Sequence, residues 1–449
     1  MADSPSEFSS DWHNMKVIRK NKIVRSDPEA NPKGTPLEKT VDADLGTNVI
    51  PKERYTSKDF MRKEWEGIWT KVWLLGCRED QIPEPGDYIC TNIGRESVVI
   101  VRQHGGGFKA FHNVCMHRGN RLADEGLGHA DPFVCGYHGW KYDSDGTFVD
   151  IPDLETFPQG KPPCNGLSEL PCDTWASFVW FSLNSDVEPL QDYLGELVGH
   201  FEPYHFERMA MTRWITAEWN CNWKASVDAF AESYHTAQTH PQLLWYLEDL
   251  DLQIDLYGKH SRYLVPFGLL SPRVDSVGEI PPPLKAMLRG AGIDPASYEG
   301  SMNDIREEVQ KYKRKTQKEQ GKDFSELHDE QLTDDYNYLV FPNVTTNTHS
   351  DDLMLFRHRP HPEDPNKMFF DVWMFELIPE GEEWPPLPKH DFRPAGSTRS
   401  LGMVIDQDAS NLATVQEGMN SAGFPGLWLS DQELRLRHFH KTITGYVGE

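Results

Sequence analysis

The segment CMHRGNRLADEGLGHADPFVCGYHGW sets Cys115 and His117 around one intervening residue and, seventeen residues on, Cys135 and His138 around two. Each half gives one thiol and one imidazole, whereas a zinc finger keeps its cysteines in one half and its histidines in the other. Two thiolates can hold one iron and two imidazoles a second, so the spacing points to a two-iron cluster with mixed ligands. Two ferric ions, two sulfides and two thiolates sum to zero charge, and a neutral cluster accepts an electron more readily than the dianionic all-cysteine kind. Gly119, Gly136 and Gly139 flank the ligands and leave room for backbone N–H groups to approach sulfur, while Trp140 is placed to shield one side. A structural zinc site is the competing reading of these four residues.

A second group lies in NWKASVDAFAESYHTAQTH, where His235 and His240 follow Asp228 and Glu232. At about 100° per residue the two imidazoles of a regular helix would diverge by roughly 140°, so they share a metal only if the helix loosens between them. Partly buried, hydrogen-bonded histidines are the plain alternative. The third ligand is expected from VIDQDASNLATVQEG, at Asp408, with Asp406 as second candidate. Two histidines and one carboxylate leave coordination positions open, the donor set of non-haem Fe(II) oxygenases. Zinc hydrolases use similar donors, but redox-inert zinc has no use for a neighbouring electron store.

These side chains need a scaffold. Ser57 is placed to cap a helix carrying Met61, Trp65, Ile68, Trp69 and Val72 on one face. From Trp73 to about Leu183, short β-rich runs (VWLLGC, SVVIVR, FKAFHNV, FVCGYH, ASFVWFSL) alternate with Gly, Pro and Asp turns, as in a small antiparallel domain. Helices are expected at Leu190–Phe201 and from Asn222 to His240, closed by Pro241. Residues 303–335, dense in charge, read as a solvated helix. NYLVFPNV, DDLMLFRHRP and KMFFDVWMFEL then give three strand-like runs, and another helix follows LGMVIDQD.

The 449 residues exceed what one core usually serves, and 14 Trp, 15 Tyr and 22 Phe give ample bulk to bury. A net charge of −25 argues against nucleic-acid backbones and anionic membranes as partners. The start, MADSPSEFSSDW, has no apolar core of a signal peptide, and no run reaches the length of a membrane span, so a soluble, cytoplasmic protein is expected. Seven scattered cysteines do not resemble a disulfide framework. GGG at 105–107 is not followed by a helix, so no nucleotide-binding motif is read and reducing equivalents must come from another protein.

In order and spacing, CMHRG, CGYHGW, NWK with ESYH and TH, and FPN at 341–343 resemble the catalytic α subunits of Rieske non-haem iron ring-hydroxylating oxygenases, the family that includes naphthalene dioxygenase. The resemblance spans most of the chain and implies an α+β protein. Its parts are an N-terminal arm (1–50), an antiparallel β Rieske [2Fe-2S] domain (51–182) and a helix-grip catalytic domain with a large antiparallel sheet (183–449). It assigns Cys115, His117, Cys135 and His138 to the cluster and His235, His240 and Asp408 to a mononuclear Fe(II). Gln416 fits the glutamine eight residues beyond the aspartate, and Glu232 matches the acid that bridges the two metal sites between subunits, through His138, Glu232 and His235. It further implies a homotrimer, α3 or α3β3 with a small β subunit, and electrons from an NAD(P)H-dependent reductase, directly or through a ferredoxin. The reaction implied is O2-dependent mono- or dihydroxylation of a small aromatic substrate in aromatic catabolism, with oxidative N- or O-demethylation as the alternative. A non-catalytic electron carrier is the reading from another class. By the same analogy Phe230, Leu243 and Leu244 are expected to wall the pocket, with Asp228 structural.

Overall fold

The computed structural model describes residues 17, 19–23, 26, 35–41, 43–275 and 278–448. Most of the N-terminal arm lies outside the described residues. The arm residues that are described hold the catalytic region: Arg19 donates to the Leu270 and Ser271 carbonyls, and Asn21 to Glu248.

Ser57 does cap a helix, Lys58–Glu64, by accepting from the Asp59 and Phe60 N–H groups. The chain then widens into a π turn over Trp65–Trp69, which buries Ile68 and Trp69. Beyond it lies an antiparallel β region. Its five-stranded sheet runs Glu169–Leu170, Phe108–His112, Glu96–Arg102, Asp87–Ile93, Gly126–His129. A three-stranded sheet (Cys172–Trp175, Phe178–Ser182, Trp73–Arg78) faces the rest of the molecule, and a smaller one (Phe133–Val134, Lys141–Tyr142, Phe148–Asp150) supports the cluster loops.

The C-terminal region is organised on an eight-stranded sheet: Gln253–Tyr257, His260–Val265, Asp335–Val340, Val344–Thr348, Asp352–Pro360, Met368–Leu377, Met209–Trp219, Asp391–Arg393. Every pairing is antiparallel except the last, which is parallel. One register row crosses it, Tyr263–Asn337–Asn347–Met354–Met374–Arg213. Because side chains alternate faces with period two, this row points to a single side.

Several expected elements differ. Leu190–Phe201 is two short helices broken at Gly195, whose φ of +54° suits glycine. NYLVFPNV holds two strands, because Pro342 has no N–H to continue a ladder and the chain turns there. Residues 303–335 are not a solvated helix: the helix ends at Thr316, it buries Ile305 and Val309, and Phe324, Leu327 and Leu332 beyond it are buried. The helix near the C-terminus starts inside LGMVIDQD, at Met403, and a second follows at Leu434–Val447. Strand Met209–Trp219, the sheet's longest, carries no clean alternation because both its faces are covered.

One apolar core joins the two regions, Leu74, Ile100 and Phe178 packing with Trp373 and Phe375. Across this seam Asp371 accepts from Arg357 Nε (2.9 Å), Arg359 Nε (2.7 Å) and Thr216 Oγ1 (2.6 Å). The same guanidiniums donate onward to the Leu75, Gly76 and Asn92 carbonyls. Burial opposes ionisation of Asp371, but the two arginines outweigh it and hold its pKa well below the usual carboxylate range.

Candidate active site

The two cluster loops repeat one backbone pattern. Cys115 N–H donates to the Asn120 carbonyl and its carbonyl accepts from Gly119 N–H; Cys135 does the same with Trp140 and Gly139. The closing glycines have φ of +77° and +73°, conformations costly for any residue with a Cβ. The pattern brings the thiols together and the imidazoles together: the sulfurs lie within hydrogen-bond reach of each other, and the His117 and His138 rings are 4.4 Å apart. Like donors are thus paired, as two irons with different ligands require. His117 Nδ1 is buried and has no hydrogen-bond partner among the described residues, an atom left for a ligand to complete. Burial and the neighbouring His138 lower the His117 pKa, keeping the ring neutral as a metal ligand must be.

Trp140 does shield the site, stacking on His117 at 4.9 Å and 5°, with Phe157 set edge-on. Burial raises the Cys135 pKa, yet the Tyr137 N–H, the Cys115 thiol, the His138 N–H and the Asn120 amide together more than offset it and lower the value. Tyr142, which the spacing did not reveal, puts its hydroxyl 3.1 Å from Cys115 Sγ. Cys115 and Cys135 are each 2% exposed while His138 lies at the surface, so the imidazole side is the open side.

The segment expected as one helix from Asn222 to His240 is broken. It is helical over Trp223–Phe230, turns through residues 231–235, and resumes for one turn at Thr236–Thr239. The expected loosening therefore falls ahead of His235 and again at His240, where φ −123° and ψ 52° leave the helix. That swing brings the two rings to 5.0 Å. Glu232 fills the first turn, accepting from His235 N–H (3.2 Å) and from its Nδ1 (2.6 Å).

Asp408 arrives from helix Met403–Met419, with Oδ1 at 2.9 Å from His240 Nε2 and 3.6 Å from His235 Nε2. One ligand atom from each of His235, His240 and Asp408 falls within 4.8 Å of the others. Gln407 Oε1 accepts from His240 Nδ1 (2.8 Å), so on both histidines Nδ1 is engaged and Nε2 is left for a cation. Burial disfavours a charged His235, but Glu232 and Asp408 outweigh it and raise its pKa; a metal cation is favoured by the same field. Asp406 is not part of this set, because it accepts from Leu401 N–H (2.8 Å) and the Ser400 hydroxyl at the helix start.

NWK and Gln416 act as scaffold. Asn222 caps the helix by accepting from Lys224 N–H and donates to the Tyr55 and Pro365 carbonyls; Gln416 Oε1 accepts from Asn222 N–H at 2.7 Å. This ties the helix bearing Asp408 to the one preceding His235. Lys224 is fully buried against Glu64 at 2.6 Å. Asp228 has a structural place: it accepts from Tyr55 Oη at 2.5 Å.

Next to the three donors lies a 370 Å³ cavity with the register row of the sheet as its floor. Phe230, Leu243, Tyr246, Phe267 and Phe356 form apolar walls. Leu244 does not contribute, being fully buried elsewhere. On the other side of Glu232 and His235 a 480 Å³ groove opens beside Val415, Leu427 and the 85% exposed Trp428.

Comparison with known proteins agrees with this arrangement. Residues 72–165 match the Rieske [2Fe-2S] domain family, and residues 206–449 match the ring hydroxylating alpha subunit (catalytic domain) family. The chain is 30% identical over 368 residues to the chlorobenzene dioxygenase α subunit of Cupriavidus sp. (strain PS12), covering 79% of this chain and 76% of that one. It is 33% identical over 199 residues to the large oxygenase component of the 2,4-dinitrotoluene dioxygenase system of Burkholderia sp. (strain RASC), covering 42% of this chain and less than half, 44%, of that protein. The fold is shared with a quaternary ammonium Rieske monooxygenase solved with an inhibitor, at a TM-score of 0.65 and 18% identity over 89% of this chain and 95% of that one. No helix among the described residues is long and apolar enough to cross a membrane. With a Rieske region on one side and a two-histidine, one-aspartate site beside a cavity on the other, this chain belongs to the ring-hydroxylating oxygenase α subunits, whose centres are a Rieske [2Fe-2S] cluster and a mononuclear iron.

Proposed function

We propose that the chain is a terminal oxygenase that hydroxylates an aromatic ring with O2 and with electrons from an NAD(P)H-dependent reductase or its ferredoxin. The observation that carries this reading is the convergence of His235, His240 and Asp408 within 4.8 Å at the end of a cavity walled by aromatic side chains. In it, Cys115, His117, Cys135 and His138 hold the cluster, and His235, His240 and Asp408 hold Fe(II). When bound, the first supplies single electrons and the second activates O2. The protein's part is positional: Glu232 and Gln407 fix the imidazoles, the sheet floor and Phe230 exclude water, and the ring rests between them.

Two surfaces support assembly with further copies of this chain. Exposed Tyr137 packs on the His138 ring at 3.8 Å, with exposed Val134 and Val149 on the small sheet of the same region, and exposed Trp428 borders the groove at Glu232, with exposed Tyr234 next to His235 in the chain. A head-to-tail contact between these unlike patches closes into a ring, a trimer in our reading, in which Glu232 links His138 of one subunit to its own His235.

Anaerobically prepared protein should contain about three irons per chain, give a reduced Rieske EPR signal, and consume O2 with a reductase and an aromatic substrate. Zinc at either centre would overturn the reading. Formaldehyde from methylated aromatics, in place of ring hydroxylation, would reassign it to oxidative demethylation.

A further inference from the structure

At the end of the cavity lined by the strand pair Asp335–Val340 and Val344–Thr348, most polar groups are already satisfied by the protein. Asn337 donates to Asn347 Oδ1 (2.8 Å) and accepts from Arg435 (2.9 Å). Glu248 accepts from the Leu250 and Asp251 N–H groups and from Asn21. Two atoms are the exception. His349 Nε2 and Asp335 Oδ1 are buried, have no hydrogen-bond partner among the described residues, and stand 3.7 Å apart, too far to bond each other. Both residues line the cavity.

A buried unpaired donor beside a buried unpaired acceptor is an unfavourable arrangement unless a ligand completes it. His349 is held rigidly: Nδ1 bonds Asp352 Oδ1 at 2.8 Å, its N–H bonds the Asp352 carbonyl, and Phe267 packs on the ring. Burial works against a charged His349, but Asp352 and Asp335 outweigh it and raise its pKa to about 9, so Nε2 carries a hydrogen at neutral pH. Burial pushes Asp335 up to about 7 against the pull of His349. Asp335, Asp352 and Glu248 are met by the His349 imidazolium, by Arg213 in the cavity lining and by Arg435 and Lys313 nearby, so the charges here are largely matched and neither a free anion nor a free cation is favoured.

Building on the oxygenase reading, we propose that His349 and Asp335 form the polar anchor of the substrate cavity and select a neutral hydroxyl-bearing aromatic compound. The hydroxyl oxygen accepts from His349 Nε2–H and its hydrogen goes to Asp335 Oδ1. The hydrocarbon part lies over Met354 and Phe356, with its far edge toward His240 and Asp408. A site built to bond a hydroxyl rejects the methyl analogue because both anchor atoms are then left unpaired.

The test is anaerobic calorimetric titration of the iron-loaded protein with the isosteric pair 2-naphthol and 2-methylnaphthalene, and with 2-naphthoate. 2-Naphthol is expected to bind at least about tenfold tighter than either of the others. His349→Leu should bring 2-naphthol and 2-methylnaphthalene to near parity while keeping affinity for the hydrocarbon, and Asp335→Asn should keep part of the preference, since its amide oxygen still accepts. Should His349→Leu not fold, as judged by circular dichroism, His349→Gln serves and should likewise weaken 2-naphthol selectively. Equal wild-type affinities, tighter binding of 2-naphthoate, no binding of any probe, or a preference unchanged in the variants would each overturn the anchor. Iron content and the Rieske signal, measured on the same preparation, tell failure of the anchor from failure of the oxygenase reading.

Discussion

Cys115 and Cys135 sit in loops that repeat one hydrogen-bond pattern, each closed by a left-handed glycine and each complete within a few residues. His235 and His240 meet only after the chain has broken one helix and left another, and Asp408 reaches them from a helix remote in sequence, held by Gln407 and Gln416. The first region resists change locally and exposes His138; the second depends on the tertiary frame and buries His240 and Asp408, with His235 partly open to the groove. The difference follows from what each has to do. An electron port must be reachable by a partner protein, whereas a site that meets O2 must be dry and closed around its substrate.

Substitutions can test this contrast. The largest effect is expected at Asp408, where Asp408→Ala should remove the mononuclear iron, taking metal content from about three to about two atoms per chain and leaving the cluster's visible absorbance unchanged. If three irons remain, the carboxylate is not a ligand. Glu232→Gln comes next: both centres should load and the cluster should still be reduced chemically, while product formation falls about 10–100-fold. Full turnover in that variant would remove the proposed link between subunits.

The smallest effect belongs to the loops. Gly139→Ala should cost about 1–2 kcal/mol, because a Cβ is disfavoured at its positive φ. It should speed loss of cluster absorbance on heating and leave the mononuclear iron in place. Since the loops repeat, Gly119→Ala should match it. A marked inequality would show that the loops are equivalent in backbone pattern but not in energy.

Where structure is short-range, it was legible in the residues. The cluster motif shows its four candidate donors and its turns because four side chains and two glycines in a short span leave few ways to close a loop. The Ser57 cap and the strands in VWLLGC, SVVIVR, FKAFHNV, FVCGYH and ASFVWFSL were visible for the same reason, since a short β-favouring run between turn residues is a local signal, whereas the other strands of the β region, among them Asp87–Ile93 and Gly126–His129, were not read. What misled was long-range. Met209–Trp219 is covered on both faces and so hides its period, and charge in residues 303–335 concealed a helix with one buried side and a buried stretch after it. Tyr142, Gln407 and the His349–Asp335 pair were missed because single polar residues in strands, helices and the turns between them carry no spacing that announces a partner.

The residue types alone determined which chemistry was available: thiols and imidazoles alternating in two halves, and two histidines five apart that no straight helix could unite. The tertiary structure decided which carboxylate completes the second set. Asp406 and Asp408 stand two residues apart on one helix, and a helical turn of about 200° sends one to the helix start and the other to His240. It also decided the cavity, whose floor is one register row drawn from six strands. Neighbours across a sheet are set by pairing between distant segments, and a linear sequence holds no direct trace of that pairing.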